Sequence, residues 1–432
     1  MNTQTFIVGG RVVCPATAFD GRATLVLSGG RVEAIEPASL EPPRGAQVID
    51  ASGGVVSPGF VDLHAHLCDP GEEHKEDLAS GGRAAVRGGF TTVVAGAQTT
   101  PANDTRAVTE MIVRRAASLA GCRVSPMGAL TVGRAGRRLT EMYDLREAGA
   151  ACLGDGDACV ADAGLLRRAM EYARAVGLPV FEFPEDRSLA GVGVMHEGTT
   201  STRLGLNGIP AVAEEAIVLR DLALCAATGA RLHLGPLSAA ASVAAIRRAK
   251  AAGLPVTCAV TAAHLHLTDE AVAAAYSPQL RSRPPFRAQE DRRALRDGLA
   301  DGTIDAITSG HRPQSPVEKD LEFDLAEPGL VGFGTTLGLT LRLVEEGVLS
   351  LARALATLTA APAAILGRRA TFEPGALADV VVFDPARRTR IVPGEVLGRS
   401  RNTPFLGQAL PGEVRYTLVG GEVRSSPAES TT

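Results

Sequence analysis

The chain has 432 residues, a formal charge of -4, 21% charged residues, four tyrosines and no tryptophan. That balance offers no basic stripe to nucleic acid or to an anionic membrane. Seven cysteines run from Cys14 to Cys258 with no Cys-x-x-Cys pair, which argues against a disulfide framework or a cysteine-rich zinc knuckle and reads as small buried apolar residues. Nowhere do eighteen apolar residues run together, and the opening Met-Asn-Thr-Gln-Thr lacks a basic segment followed by an apolar one. Neither a membrane span nor export is expected, and the cytoplasm is the expected setting.

From Thr5 to Asp50 short alternating runs are cut by Gly-Gly and Gly-Arg turns, the pattern of a small β unit. From Pro58 apolar strand-like runs alternate with helical segments, which predicts a parallel sheet covered by helices. Strands are expected at Phe60 to His66, Thr91 to Ala95, Arg123 to Gly128, Ala151 to Leu153, Pro179 to Phe183, Arg231 to Leu234, Pro255 to Val260 and Asp305 to Thr308. Eight such strands make a barrel. The helix from Asp162 to Val176 opens on an acidic residue and stops at Gly177. After Leu366 short strands return, the clearest at Ala378 to Phe383 and Arg415 to Val419. Neither flank alone has enough strands for a stable core, so the tail is expected to rejoin the N-terminal sheet. The expected architecture is therefore an α/β chain: a (β/α)8 TIM-type barrel over 58–366, with a small β-sandwich domain built from 1–57 and 367–432. The polar tail from Ser425 to Thr432 is expected to fray.

The first barrel strand carries Pro58-Gly59-Phe60-Val61-Asp62-Leu63-His64-Ala65-His66. Side chains alternate along a strand, so His64 and His66 share a face and can converge on a divalent metal. The plainer reading is a histidine pair at a strand edge, and two ligands alone do not make a metal enzyme.

With Asp69-Pro70-Gly71 after it, this stretch resembles the dihydroorotase branch of the amidohydrolases. The resemblance continues through Gly81 to Val93, Met195-His196-Glu197-Gly198, Leu204 to Pro210, Gly253 to Thr257, Asp301 to Asp305 and Asn402-Thr403-Pro404-Phe405. It implies an amidohydrolase barrel with its site at the C-terminal ends of the strands. It also implies a metal-activated water, an acid/base carboxylate, and cationic and amide groups that hold a substrate carboxylate. Several of these places are altered. Phe183, in Glu182-Phe183-Pro184-Glu185-Asp186, and Pro236, in His233-Leu234-Gly235-Pro236, stand where the resemblance implies histidine ligands. Gly310 stands where it implies the carboxylate. Asp155, in Asp155-Gly156-Asp157, fits one acidic place. Cys68 and Gln98 replace an arginine and an asparagine of the substrate clamp, and Arg283-Pro284-Pro285-Phe286-Arg287 replaces an Asn-Pro-Pro-Leu-Arg phrase.

Framework phrases kept while reaction residues change point to a non-catalytic chain with no catalytic residue and no cofactor. In such chains the resemblance implies a structural subunit that assembles with aspartate carbamoyltransferase in pyrimidine synthesis, as part of a homo- or hetero-oligomer. His64, His66 and Asp155 are then residual metal positions. The alternative is an active, zinc-dependent cyclic amidohydrolase with a reduced site of His64 and His66, completed by Asp155 or by His264, His266 or His311. A ligand-binding sensor that uses the old pocket is a third reading.

Overall fold

A computed structural model describes residues 4–393 and 398–426. The first three residues, 394–397 and the tail from Pro427 onward lie outside the described residues, and most of the segment expected to fray is in that tail.

Eight parallel strands form the central sheet: Phe60–Ala65, Phe90–Ala95, Arg123–Gly128, Cys152–Leu153, Val180–Glu182, Leu232–Leu234, Val256–Thr261 and Ala306–Thr308. Each lies within a residue or two of its expected position. The sheet closes on itself through one buried carboxylate. Asp62 on the first strand accepts from the backbone N–H of Ser309 at 2.9 Å and from the hydroxyls of Thr308 and Ser309 beyond the eighth strand. Ala65 bridges His311 in parallel fashion, and the N–H of His66 donates to the His311 carbonyl at 2.8 Å. The first and eighth strands are thus neighbours, and the sheet is a barrel.

Apolar side chains of mixed size fill the barrel interior, among them Val61, Leu63, Val94, Met127, Phe181, Ala259 and Ala306. The larger cluster lies between strands and helices. Helix Ala163–Val176 illustrates the local logic. The Asp162 side chain accepts from Leu165 N–H at 2.7 Å, Leu165, Leu166, Ala169, Met170, Ala173 and Val176 are buried at helical spacing, and Gly177 ends the helix at φ 75°.

The flanking segments join in one nine-stranded sheet. Val380–Arg390 pairs antiparallel with Val55–Pro58, registering Val380 against Pro58, and Ala409–Val419 and Glu422–Ser425 follow outward. Ile7, Leu25 and Leu27 from one half share a core with Val12, Val56, Val382 and Leu418 from the other, so the sheet bends around a single apolar centre. The cysteines are free thiols, all buried except the half-buried Cys159. No helix among the described residues is long and apolar enough to cross a membrane.

Candidate active site

Strand ends set the site. His64 and His66 leave the first strand with ring centroids 6.0 Å apart. Burial, with help from the nearby Arg312 cation, lowers the pKa of His64 to about 4 and pushes that of His66 well below its ordinary value, so both imidazoles are neutral and available as donors at neutral pH. The ring of His66 is already engaged, because the Gln98 amide nitrogen donates to its Nδ1 at 2.7 Å.

Asp155 is engaged elsewhere. It accepts from Thr131 N–H at 3.0 Å and from the Thr131 hydroxyl at 2.5 Å, and burial raises its pKa despite these bonds. Asp157 is the acid whose charge is felt at both imidazoles. Arg312 Nη2 donates to Asp157 Oδ2 at 3.0 Å, and Arg134 donates to Oδ1. Burial works to raise the pKa of Asp157, but the Arg312 and Arg134 guanidiniums outweigh it and hold the carboxyl well below the ordinary carboxylate range. Each of the three charged side chains is about one-fifth exposed, with 19% for Arg134 and 20% for both Asp157 and Arg312, so solvent reaches the group.

The positions implied as ligands are filled by structure. Phe183 and Pro236 line, with His64, Phe181, Glu182 and His233, a cavity of about 10 Å³, at the threshold for one water. His233 packs against Phe181 at 4.5 Å, and its Nδ1 bonds the Thr257 hydroxyl at 2.9 Å. His264 lies between the Thr261 hydroxyl at 2.7 Å and the Pro284 carbonyl at 3.1 Å. His266 reaches the Leu339 carbonyl at 2.8 Å. His311 stacks on Phe333 at 4.1 Å. Gly310 sits at φ 58°, where a Cβ would come 2.7 Å from Thr261 Cγ2.

A zinc centre needs three or four donors. Among the described residues no group of three or more His, Cys, Asp or Glu side chains could hold a metal ion. With the Asp155 carboxylate spent on Thr131 and the ring of His66 on Gln98, the side chains as they stand do not fit such a centre.

The implied substrate arginine is replaced by Cys68, whose thiol burial pushes up to about 12. Arg287 is buried and donates to the Ser238 hydroxyl at 2.7 Å and the Ile209 carbonyl at 3.2 Å. The partly exposed cations at the mouth are instead Arg134 and Arg312, which the sequence reading passed over. Arg312 directly follows the Gly310-His311 pair, and this was the one local signal available.

Comparison with known proteins places these features. Residues 53–242 match the family described as dihydro-orotase-like. The fold is that of the L-hydantoinase (dihydropyrimidinase) from Arthrobacter aurescens, with a TM-score of 0.86 at 23% identity over 99% of this chain and 97% of that one. The D-hydantoinase (dihydropyrimidinase) from Thermus sp. gives 0.81 at 22% over 97% and 94%. A protein named dihydroorotase from Anaeromyxobacter dehalogenans (strain 2CP-C) is 49% identical over 425 residues, 98% of each chain. Another of that name from Citrifermentans bemidjiense is 43% identical over 418 residues, 96% of this chain and 98% of that one.

These relatives overturn the expectation of a non-catalytic assembly subunit, and the expectation that no cofactor is needed loses its support with it. The physical reason is that a phrase-by-phrase reading scores only the places where the resemblance implies a residue. Here charged side chains from other loops, Arg134, Asp157 and Arg312, converge beside the two imidazoles. Alike over nearly its whole length to proteins named dihydroorotase, the chain belongs to the dihydroorotase-like family.

Proposed function

We propose that the chain is an active cyclic amidohydrolase of the dihydroorotase type, which interconverts N-carbamoyl-L-aspartate and L-dihydroorotate at the mouth of the barrel. The observation that carries this reading is the 49% identity to a dihydroorotase across 98% of both chains. The geometry supports it, because two neutral imidazoles and two guanidiniums meet at the C-terminal rim, where barrels of this class do their chemistry. Ring opening adds water to an amide carbonyl, and ring closure expels it; both need a polarised carbonyl and a held carboxylate. In this reading His64 and His66 stand at the rim as neutral imidazoles, and Asp155 supports the loop through Thr131.

The test is turnover of both substrates by the purified chain, followed by chromatography with and without added zinc, alongside elemental analysis. Turnover that falls at least a hundredfold in His64→Ala and His66→Ala is expected. A wild-type chain with no turnover in either direction, with zinc supplied, overturns the reading. Association with aspartate carbamoyltransferase is a separate proposal, supported by the family resemblance alone and compatible with activity; light scattering of the mixed proteins tests it. A cytoplasmic setting accords with this metabolism.

A further inference from the structure

The mouth of the barrel holds two arginines on one aspartate, a surplus of one positive charge. Arg134 and Arg312 donate to opposite oxygens of Asp157, so each presents part of a planar fork to a single carboxylate. Their loops are braced independently of that contact. Arg312 donates its N–H to the Leu330 carbonyl at 2.7 Å, and its own carbonyl accepts from Asn402 Nδ2 at 3.0 Å. Arg134 Nε donates to the Asp155 carbonyl at 2.9 Å, and the preceding Gly133 N–H donates to Asp104 at 2.7 Å. The backbone at Arg312, and the Arg134 guanidinium through its Nε, are therefore held in place if Asp157 turns away.

The usual arginine after the histidine pair is absent, since Cys68 is a buried neutral thiol. The held carboxylate of the proposed reaction lacks its expected partner. Asp157 is itself a carboxylate on a short side chain, partly exposed, and its charge is felt at His64 and His66. It has the chemistry of the missing substrate group and lies between the two guanidiniums, beside the two imidazoles.

We propose that Arg134 and Arg312 form the substrate-carboxylate clamp of this chain, and that Asp157 is an internal occupant which a substrate carboxylate displaces. The ligand class is a carbamoyl or cyclic amide bearing a free carboxylate; neutral cyclic amides gain nothing from the pair. The inference rests on the proposed reaction for its substrate, but it concerns binding and is separable from turnover.

Calorimetric titration with N-carbamoyl-L-aspartate, and with neutral dihydrouracil as the control, tests it. Each of Arg134→Gln and Arg312→Gln is expected to weaken binding of the carboxylate by about ten- to a hundredfold, the range for a lost charge-assisted bond. Asp157→Asn, which removes the competitor's charge, is expected to tighten it about tenfold. Dihydrouracil binding should change less than twofold in all three. Circular dichroism melts of each variant identify any that fail to fold, and Arg312→Lys, which keeps the charge without the fork, should fall between wild type and Arg312→Gln. Carboxylate binding unchanged in both arginine variants, or weakened in Asp157→Asn, overturns the clamp. So does wild-type protein that binds no N-carbamoyl-L-aspartate at millimolar concentration. If the binding pattern appears without turnover, the clamp stands and the reaction assignment fails.

Discussion

Asp62→Ala tests how the barrel is closed. Asp62 has no exposure to solvent, and its carboxylate accepts from Ser309 N–H, from the hydroxyls of Thr308 and Ser309, and weakly from His64 N–H at 3.4 Å. Alanine leaves three strong donors without that acceptor, and each buried donor left unpaired costs about 1–3 kcal/mol. Against this, the variant no longer buries a carboxyl whose pKa burial raises, which offsets part of the loss. A net destabilisation of about 3–5 kcal/mol is expected, a fifth or more of the roughly 5–15 kcal/mol that holds a typical domain. At an unfolding entropy of about 2.1 cal/mol/K per residue, a chain of this size responds by roughly 1 °C per kcal/mol, so scanning calorimetry should record a fall of about 3–5 °C. Asp62→Asn keeps one acceptor oxygen of the same shape and should lose about half as much. A melting point within about 1 °C of wild type for Asp62→Ala, or equal losses for both variants, would refute the assignment of the seam to this carboxylate.

Two further outcomes follow from single residues. Gly310→Ala should destabilise by about 1–2 kcal/mol, because it places a Cβ in left-handed backbone against Thr261; urea unfolding checks it, and pairing it with a smaller residue at 261 should recover only the steric share. His264, buried with a pKa lowered to about 4 from 6.5, binds its proton more readily in the unfolded chain. Its contribution is therefore intact above pH 6.5 and declines as pH falls towards 4, by on the order of 3 kcal/mol. His264→Gln should flatten that part of the stability profile relative to wild type; identical slopes between pH 6.5 and 4 would sink the argument.

The barrel was legible because its evidence is periodic. Alternation and apolar runs located all eight strands, and Asp162 and Gly177 marked a helix at both ends. The return of the tail to the N-terminal sheet followed from counting strands. The site was legible only where it is local. His64 and His66 share a strand, and alternation sufficed to bring them together. Asp155 and Asp157 are two residues apart, yet one turns to Thr131 and the other to Arg134 and Arg312, because Gly156 between them adopts φ 71°. No pattern in the sequence announces that reversal. Arg134 and Arg312 are 178 positions apart, and only the closed barrel makes them neighbours. Reading Gly310 as a lost carboxylate was also incomplete, since the backbone there takes a conformation that glycine favours.

The pairing of Val55–Pro58 with Val380–Arg390 has a consequence for synthesis. Pro58 and Val380 are 322 positions apart, so at about 5–20 residues per second the strand Val55–Pro58 waits roughly 15–65 s on the ribosome before its partner emerges. During that interval Val55 and Val56 present an unpaired apolar edge, the kind that invites pairing with another chain. The barrel, whose strands arrive in spatial order, can assemble in the meantime. Nascent chains stalled before residue 380 are thus the form of this protein most exposed to aggregation, and the form in which a chaperone has the most to protect.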